Sequence, residues 1–535
     1  MTAARLLLHA ALGALLLCAG AHGEEAYPAP RFADPARLAE LNSAFPEIDQ
    51  IFRDYAADKH IPGMAWGIVI DGELAHSGFS GVRDLQSKAP LSVDTAFRIA
   101  SMTKSFTVLA ILKLRDAGKL SLEDPVSKWI PEFAHSELPT RDSAPIRIRQ
   151  LLSHSAGLPE DNPWGDQQLA ASEEDLTAWL KRGFPFSTPP STRYEYSNLA
   201  FGLLGRIVSK AAGIPYERYV KNQILAKLHM DSSTFRYAEV PVERRAIGYR
   251  LQPDGTYREE PPLPQGAFGS AGGLLTTSTD LGRYIAFHLS AWPPRNEVDA
   301  GPVKRSSVRE MSFMATPANL TGNRNGGHLQ VSQTGYGFGL RVSSDCRFEH
   351  IVGHGGGLPG FGSYMQWLPD YGVGMFAMAT LTYSGPSEAI NHAWDALLKS
   401  GGLQRRQLPA SQPLTDARAG IWELWNHWDD ARARDLGAMN LLIDFPGAER
   451  RAEIDALKST VGACSDAGPV MPENWLRGQF NIHCSAGTVG AFYTLSPTEP
   501  PRVQHLSFHK LESESTRIGA PTGAPAGVAC ENEVR

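Results

Sequence analysis

The sequence predicts an α/β fold: an antiparallel sheet flanked by helices, with a helical subdomain and a smaller α+β domain later in the chain. Three observations predict it. Strand-like segments occur early, helical patterning fills the middle, and strand-like segments return before residue 400. Because strands from both ends of one domain can share a sheet while helices cover its faces, we expect one sheet closed by both ends.

An early and a late hairpin supply these strands. Residues 64–79 read as two strands around Asp71-Gly72, a pair that provides the positive φ angles of a tight turn. Residues 364–380 form a second hairpin around the turn residues 369–372. The two hairpins therefore mark the beginning and the end of the predicted sheet.

Two helices are predicted between the hairpins. Apolar residues recur at helical spacing from Phe106 to Leu114, and Gly118 fits a C-cap. A second helical stretch follows Asn198 and ends at Gly213. We expect the helical subdomain to be built around this region.

The chain is long enough for two folded units. At 535 residues it exceeds one ordinary domain. We assign residues 24–400 to the first domain and residues 401–413, with their Gly, Arg and Pro, to a linker. Residues 414–510 form the small α+β domain, and residues 511–535 form a loose tail rich in Gly, Pro and Ala.

The small domain is predicted from one apolar helix face and three strand-like runs. The strands are expected at residues 476–484, 491–495 and 503–508. The helix face consists of Ile421, Trp422, Trp425 and Trp428. Such a stripe could bind a ligand, but its helical spacing favours core packing.

The N-terminus predicts export. Residues 1–23 read as a signal peptide, with Arg5 before a largely apolar run and small residues at the end. The apolar run is shorter than the ~20 residues of a spanning helix, so we expect no stable membrane span in the mature chain. The alternatives are an uncleaved anchor and, through Cys18, a lipoprotein. Periplasmic and secreted destinations both fit.

Four cysteines remain after removal of that segment. An oxidising exterior would allow Cys346, Cys464, Cys484 and Cys530 to pair, and three pairings are possible. The sequence does not choose between them.

Composition excludes several classes of partner. The net charge is −6 and no dense run of Lys and Arg occurs, so we expect no nucleic acid partner. Neither Cys-x-x-Cys nor His-Glu-x-x-His occurs, so we expect neither a metal nor another cofactor. The oligomeric state is left open.

The strongest candidate for chemistry is Ser101-Met102-Thr103-Lys104. Residues three apart on a helix share a face, so the lysine ammonium can approach the serine hydroxyl. A nearby cation lowers the cost of forming an alkoxide, and a helix N-terminus adds favourable partial charge. A second Ser-x-x-Lys at residues 507–510 falls on a predicted strand, where the two side chains would diverge.

Two further motifs follow Ser101 along the chain. Tyr196-Ser197-Asn198 opens the second helix, and His354-Gly355-Gly356-Gly357 leads into a late strand. Taken singly, the first could merely cap a helix and His354 could be an ordinary strand residue. The glycines also match G-x-G-x-x-G, but they precede a strand rather than open a helix, so no dinucleotide site is expected.

Together the three motifs resemble the active-site elements of serine β-lactamase-related hydrolases, in the penicillin-binding-protein superfamily. Members include DD-peptidases, D-aminopeptidases, esterases and class C β-lactamases. The sequences that flank the motifs are also similar, at residues 97–100, 150–158 and 271–275. The resemblance covers about residues 45–400. The resemblance implies a β-lactamase/transpeptidase-like fold.

It also implies roles for the motif residues. Ser101 would attack a carbonyl and form an acyl-enzyme, with Tyr196 as general base and acid. An ordinary tyrosine has a pKa near about 10, so Lys104 would have to stabilise the phenolate. Asn198 would hold Lys104 and the substrate amide.

The glycine-rich strand would hold the substrate. The backbone N–H groups of Ser101 and Gly357 would form the oxyanion hole, with Gly355 and Gly356 beside them and His354 at the start. Many β-lactamases carry Lys-Thr-Gly where this chain has His354-Gly355-Gly356. A histidine with a pKa of about 6.5 is mostly neutral at pH 7, so we expect slow or absent turnover of nitrocefin.

The resulting prediction is a serine hydrolase that cleaves an ester, or a peptide or amide containing D-residues. A true β-lactamase is the alternative among enzymes. A non-catalytic protein that senses peptides or scaffolds an assembly is the alternative from another class, and the ionisable set around Ser101 argues against it.

Overall fold

The computed structural model describes residues 29–511 apart from residues 163, 326 and 327. The signal peptide predicted at residues 1–23, and Cys530 with the rest of the predicted tail beyond residue 511, lie outside the described residues. The chain divides into a larger unit, residues 32–294 and 298–406, and a smaller unit that contains residues 407–511.

The larger unit contains a sheet of nine antiparallel strands. Within the described residues their order is β3-β2-β1-β13-β12-β11-β10-β9-β8. Two further pairs, β4 with β7 and β5 with β6, lie outside it. The strands are β1 Gly63–Ile70, β2 Glu73–Asp84, β3 Ala89–Pro90, β4 Phe97–Arg98, β5 Tyr249–Leu251, β6 Tyr257–Glu259, β7 Leu275–Thr276, β8 Thr316–Asn325, β9 His328–Tyr336, β10 Arg341–Ser344, β11 Ile351–Leu358, β12 Phe361–Leu368 and β13 Val373–Ala379.

Helices cover this sheet and form the helical subdomain. Those of the larger unit are α1 Arg37–Ser43, α2 Phe45–Asp58, α3 Thr103–Asp116, α4 Val126–Trp129, α5 Ile148–Leu152, α6 Trp164–Gln167, α7 Glu173–Arg182, α8 Asn198–Ala212, α9 Tyr216–Val220, α10 Gly269–Gly272, α11 Ser278–Ser290, α12 Arg305–Met311 and α13 Ser387–Lys399. No helix among the described residues is long and apolar enough to cross a membrane.

Strand β1 shows why the sheet needs helices on both faces. Every residue of β1 is buried, and alternate side chains enter different cores. Trp66 and Ile68 pack with α2 and α13, whereas Ala65 and Val69 pack with the helices on the other face. Each large apolar side chain buried in this way contributes about 1.5–3 kcal/mol.

The prediction of one sheet closed by both ends of the domain is confirmed. β1 pairs with β2 on one side and with β13, the last strand of the unit, on the other. The early hairpin turns at Asp71 and Gly72, with φ angles of 50° and 96°. The late hairpin is β12 and β13, and Gly372 between them has φ 67°.

Both helices singled out from the sequence are present. α8 begins at Asn198 and ends at Gly213, which has the left-handed conformation of a C-cap. α3 begins at Thr103, so Lys104 lies in its first turn. Ser101 lies just before this helix, in a 3-10 turn spanning Ala100–Met102. The predicted position of both residues at the helix start is thus correct to within two residues.

The smaller unit is a separate α+β domain, as predicted. Its sheet follows the order β14-β16-β17-β18, and β15 also pairs with β16. Its elements are α14 Gln412–Asn426, α15 Asp430–Leu436, α16 Leu441–Asp444, α17 Gly447–Val461, β14 Cys464–Ala467, β15 Met471–Asn474, β16 Arg477–Cys484, β17 Gly487–Leu495 and β18 Val503–Leu511.

The first helix of this unit carries the tryptophan stripe. Ile421 and Trp425 are fully buried in the core, and Trp422 and Trp428 pack against it, so the stripe is core packing. α14 begins at Gln412, before the end of the predicted 401–413 linker. Pro413 in its first turn suits a helix start because the missing N–H needs no partner there.

A disulfide joins two strands of the smaller unit. Cys464 on β14 lies directly opposite Cys484 on β16, and the two cysteines are 20 residues apart in the sequence. Replacing both cysteines by alanine is expected to lower the free energy of unfolding of this unit by about 2–4 kcal/mol, because the unfolded chain gains freedom. Denaturant titration measures this change. Cys464→Ala alone should match the double variant, and unchanged denaturation midpoints would contradict the expectation.

Candidate active site

The turn that holds Ser101 is conformationally strained. Ala100, immediately before Ser101, has φ 47°, a left-handed conformation that a residue with a Cβ rarely adopts. Such a residue costs of order 1–3 kcal/mol and persists only where its surroundings enforce it. The fully buried Ile99 and Met102 anchor the turn on either side. Ser101 itself remains partly exposed, as a nucleophile must be.

Lys104 links the predicted nucleophile to the second motif. The side chain is completely buried. Its Nζ donates hydrogen bonds to Ser101 Oγ at 3.1 Å, Asn198 Oδ1 at 2.6 Å and the Ala271 carbonyl oxygen at 2.9 Å. The structure therefore brings Ser101, Lys104 and Asn198 together, as the sequence predicted.

The protonation of Lys104 is tuned by its surroundings. Burial lowers the pKa of Lys104 to about 8, and the negative charges of Asp166 and Asp161 oppose this shift. Asn198 Oδ1 and the Ala271 carbonyl can only accept hydrogen bonds. When Lys104 is neutral, they occupy its two remaining N–H groups, so the lone pair faces Ser101 Oγ. Neutral Lys104 is thus positioned as a base for Ser101.

Tyr196 lies against both Ser101 and Lys104. Its phenol hydrogen-bonds Ser101, and Lys104 Nζ lies 4.8 Å from the centre of its ring. Burial raises the pKa of Tyr196 well above its usual range, an effect that outweighs the hydrogen bond to Ser101. The phenol therefore stays protonated near neutral pH, which suits a proton donor better than a general base.

Asn198 is fixed by the first turn of α8. Ser197 caps this helix, and the Asp161 carboxylate accepts hydrogen bonds from the backbone N–H groups of Asn198 at 2.6 Å and Leu199 at 2.8 Å. A carboxylate at a helix N-terminus stabilises it by about 0.3–1 kcal/mol, or more when partly buried. Asn198 Nδ2 also donates to Asn162 Oδ1 at 2.6 Å. These bonds orient the Oδ1 atom toward Lys104.

His354 is buried and engaged through both ring nitrogens. Nδ1 donates to the Gly355 carbonyl oxygen at 2.5 Å, and Nε2 accepts from the Tyr336 hydroxyl at 2.8 Å. Burial, with the nearby positive charges of Arg341 and Lys104, lowers the pKa of His354 well below its usual range. His354 is consequently a neutral group in the middle of β11, and it offers no cation to a substrate. The motif of residues 354–357 thus lies within the strand, which begins at Ile351, and not ahead of it as predicted.

The glycines of β11 lie against the nucleophile turn. A Cβ added to Gly356 would lie 2.2 Å from the Ile99 carbonyl oxygen, and Ser363 Oγ donates to that same oxygen at 2.9 Å. A Cβ on Gly357 would lie 2.7 Å from the Tyr383 ring. Only glycine lets this strand approach so closely, which places the backbone of Gly355, Gly356 and Gly357 beside Ser101. Their assignment to the oxyanion hole stays a prediction.

His154 belongs to the site, although the sequence predicted no role for it. It lies in the family-like segment of residues 150–158. It is fully buried and its Nδ1 accepts from the Ser197 N–H at 3.1 Å. Its ring packs against those of Tyr196 and Tyr336, with centres 4.4 and 4.5 Å away. His154 thereby supports the position of Tyr196.

The sequence also did not predict a role for two charged residues at the site. Arg341 begins β10, where it pairs with Gly353, and its side chain is exposed. Asp166 lies on α6 and is only 8% exposed. Neither belongs to a short motif, so only the fold brings them to Ser101.

Other features do not contribute to this site. The second Ser-x-x-Lys, residues 507–510, lies on β18 of the smaller unit. A groove of about 1130 Å³ lies behind α8, lined by Arg206 and Tyr216 among others, and does not include Ser101. Among the described residues, no group of three or more His, Cys, Asp or Glu side chains could hold a metal ion.

The fold and this arrangement define a protein of the serine β-lactamase-related type, with a site suited to acyl transfer. Residues 48–399 match the family model Beta-lactamase. The chain belongs to this family, whose fold is consistent with serine hydrolase activity.

Two relatives illustrate the family. Beta-lactamase-like protein 2 of Dictyostelium discoideum is 31% identical over 394 residues, which cover 70% of this chain and 68% of the relative. Protein flp of Staphylococcus aureus strain COL is 30% identical over 353 residues, which cover 66% of each chain. The chain thus spans about two thirds of these relatives.

Two solved structures share the fold. The octameric penicillin-binding protein homologue from Pyrococcus abyssi aligns with a TM-score of 0.57 and 21% identity, covering 88% of this chain and 96% of that one. A class C β-lactamase aligns with a TM-score of 0.53 and 19% identity, covering 69% of this chain and 98% of that one. At these identities the likeness establishes the fold alone.

Proposed function

We propose that the protein is a serine hydrolase that works through an acyl-enzyme on Ser101, and that it cleaves a peptide or amide containing a D-residue, or an ester of similar shape. The observation that carries this proposal is the position of Lys104 Nζ between Ser101 Oγ and Asn198 Oδ1. A binding protein has no need for a buried base aimed at a partly exposed hydroxyl.

Acylation uses the groups described above. Neutral Lys104 takes the proton of Ser101 as Oγ bonds to the substrate carbonyl carbon. The N–H groups of Ser101 and Gly357 receive the developing oxyanion. As the bond to the leaving atom breaks, Tyr196 donates its phenolic proton to that atom and is reprotonated at the expense of Lys104. Water then attacks the acyl-enzyme through the same proton transfers, the bond to Ser101 Oγ breaks, and the carboxylic acid product is released.

This assignment differs from the sequence-based one in the roles of two residues. The sequence assigned general base catalysis to Tyr196, with Lys104 as the stabilising charge. Burial moves the two pKa values in opposite directions, upward for Tyr196 and down to about 8 for Lys104. Lys104 is therefore the group that can lose a proton near neutral pH.

Arg341 favours a leaving group that carries a carboxylate. It is exposed, forms no ion pair with any described residue, and lies close enough to His354 and Lys104 for its charge to lower both pKa values. Since Tyr196 protonates the leaving atom and packs toward His354, Arg341 stands on the leaving-group side. A guanidinium there can bind a terminal carboxylate in a bidentate manner. A peptide ending in a D-amino acid has such a group.

The pH dependence follows from Lys104. Because the neutral amine is the base, kcat/KM is expected to be low below pH 7 and to rise through an apparent pKa of about 8. Stopped-flow or steady-state rates between pH 6 and pH 10, on a substrate without ionisable groups, measure this. A profile flat from pH 7 to pH 9 would contradict the role of Lys104 as base.

Intact-mass spectrometry tests the proposed function. The purified protein is incubated with a fluorophosphonate and with benzylpenicillin, and hydrolysis of D-alanyl peptides, p-nitrophenyl esters and nitrocefin is then followed. We expect one adduct on Ser101, turnover of a peptide or an ester, and slow or absent turnover of nitrocefin. Absence of both adduct and turnover would favour a binding role, and rapid nitrocefin hydrolysis would favour a true β-lactamase.

We also propose that the chain is exported and loses residues 1–23. The Cys464–Cys484 disulfide supports this, because disulfides persist in oxidising compartments. N-terminal sequencing of the mature protein from a bacterial periplasm or culture medium is expected to begin near Glu24. Retention of Met1 in a cytoplasmic fraction would contradict export.

A further inference from the structure

Asp166 lies within the catalytic cleft, beside Asn198. α6 is held against the start of α8, since a Cβ added to Gly165 would lie 2.6 Å from Asn198 Cβ. The neighbouring Gly165 N–H donates to the Asp161 carbonyl oxygen at 2.5 Å. The contacts of α6 therefore fix Asp166 at the Asn198 side of Ser101.

Tyr383 forms the opposite wall at this place. Its ring stands against Gly357, and its hydroxyl donates to Asp166 Oδ2 across 3.4 Å. Tyr383 is 44% exposed and has φ 55°, so its backbone is held in a rare conformation. Asp166 and Tyr383 thus bracket the space between Asn198 and Gly357.

The charge of Asp166 has no counter-ion among the described residues. Lys104 is near, but its three N–H groups go to Ser101, Asn198 and the Ala271 carbonyl. Tyr383 offers one long hydrogen bond, which cannot neutralise a carboxylate. A carboxylate that is 8% exposed and unpaired costs free energy unless something else binds it.

Asp166 and Arg341 stand at different ends of β11. Arg341 pairs with Gly353 near the beginning of the strand, and Tyr383, the partner of Asp166, contacts Gly357 near its end. Four strand residues span about 13 Å. Because Tyr196 and the leaving group lie toward Arg341, Asp166 lies on the acyl side.

We propose that Asp166, with Tyr383 beside it, binds a protonated amine carried by the acyl portion of the substrate. The proposal rests on the acyl-enzyme function proposed above and specifies its substrate class: an acyl group with a cationic nitrogen, such as a free α-amino group. The ammonium supplies the counter-ion that Asp166 lacks, and Tyr383 orients the carboxylate by its hydroxyl.

Two penicillins that differ by one amine test this on the wild-type protein. Ampicillin carries an α-amino group on its acyl side chain, and benzylpenicillin lacks it. At pH 7, where an ordinary α-amino group with a pKa near 8 is mostly protonated, we expect Ser101 to be acylated about tenfold faster by ampicillin, the effect of one charge-assisted hydrogen bond. The second-order constants are measured by intact mass.

The preference should also depend on pH. Burial raises the pKa of Asp166 to about 6, against the opposing charge of Lys104 and the hydrogen bond from Tyr383, and with the reinforcing charges of Asp161 and Glu160. Protonated Asp166 cannot bind an ammonium ionically, so the ampicillin to benzylpenicillin ratio is expected to fall as the pH drops below about 6. A ratio unchanged from pH 7 to pH 5 would overturn the assignment.

Asp166→Asn separates binding from a structural role. The isosteric amide keeps a hydrogen bond to Tyr383 but removes the charge, so the ratio is expected to fall from about ten to about one. Glu174→Gln, which removes an exposed carboxylate on α7, should keep the wild-type ratio. Labelling of Ser101 by a fluorophosphonate verifies that each variant is folded.

The outcomes distinguish failure of the amine subsite from failure of the proposed serine hydrolase function. Equal constants for the two penicillins, a ratio unaffected by Asp166→Asn, or acylation by neither penicillin while the fluorophosphonate still labels Ser101 would each overturn the amine subsite and leave the hydrolase standing. Failure of the fluorophosphonate to label the wild-type protein would instead overturn the proposed function.

Discussion

Replacing Ser101 with alanine is expected to abolish covalent labelling and to lower turnover by about 10³-fold or more. The hydroxyl is the group that Lys104 and Tyr196 both approach, so its removal leaves these two side chains with no nucleophile to activate. Intact mass of the variant after incubation with a fluorophosphonate measures the first effect, and kcat/KM on the best wild-type substrate measures the second.

The chain provides a matched control for this variant. Ser507 begins the second Ser-x-x-Lys, on β18 of the smaller unit. Ser507→Ala should retain full labelling and turnover. Labelling of the Ser101→Ala protein at the wild-type rate would show that the nucleophile lies elsewhere, and the catalytic interpretation of all three motifs would be withdrawn.

Replacing Lys104 with methionine is expected to lower kcat by about 10²–10⁴-fold, the range over which a positioned general base acts. Methionine fills the buried volume, but its thioether sulfur is too weakly basic to take the Ser101 proton, and it has no donor for Asn198 Oδ1 or the Ala271 carbonyl. The loss should appear in the acylation rate, because the variant retains the hydroxyl itself. Single-turnover acylation by benzylpenicillin measures it.

Lys510→Met, in the second Ser-x-x-Lys, is the corresponding control and should acylate normally. Thermal unfolding of the Lys104→Met protein separates a chemical defect from a structural one. A folded variant that acylates within tenfold of wild type would show that Lys104 is not the base, and would return that role to Tyr196.

The sequence predicted those parts of the site whose residues lie close together in the chain. Ser101 and Lys104 lie three residues apart, and Tyr196 and Asn198 lie two apart, so their side chains are related by the geometry of one turn. The hairpin at Asp71-Gly72 was predictable for the same reason. The order of strand-like and helical segments, together with the family resemblance, also predicted the fold class, which the sheet pairing of β1 with β13 confirms.

The remainder of the site depends on contacts between distant segments. Asp161 holds the first turn of α8 from 37 residues away, and Tyr383 reaches Asp166 across 217. The sequence carries no short pattern that pairs such residues. An Asp or Asn just before a predicted helix is common, but such a residue usually only caps that helix and therefore does not indicate a functional site.

Proton affinities were likewise inaccessible to the sequence. The unperturbed pKa of about 10 led to the expectation that Lys104 must stabilise a phenolate of Tyr196. Burial, which no motif states, raises the pKa of Tyr196 and lowers that of Lys104 to about 8. His354 was rightly expected to be mostly neutral, but its hydrogen bonds to Tyr336 and Gly355 emerge only from the fold.

The Asp161 carboxylate has a consequence for anyone who would redesign the enzyme. By binding the first two amides of α8, it ties the segment that leads into α6 and Asp166 to the helix that presents Asn198 to Lys104. Grafting this segment from a homologue to change the acyl group that is accepted would therefore also shift the position of Lys104. Libraries that vary this segment while keeping Asp161 should yield altered selectivity at undiminished rates, whereas libraries that vary Asp161 should mostly yield slow variants.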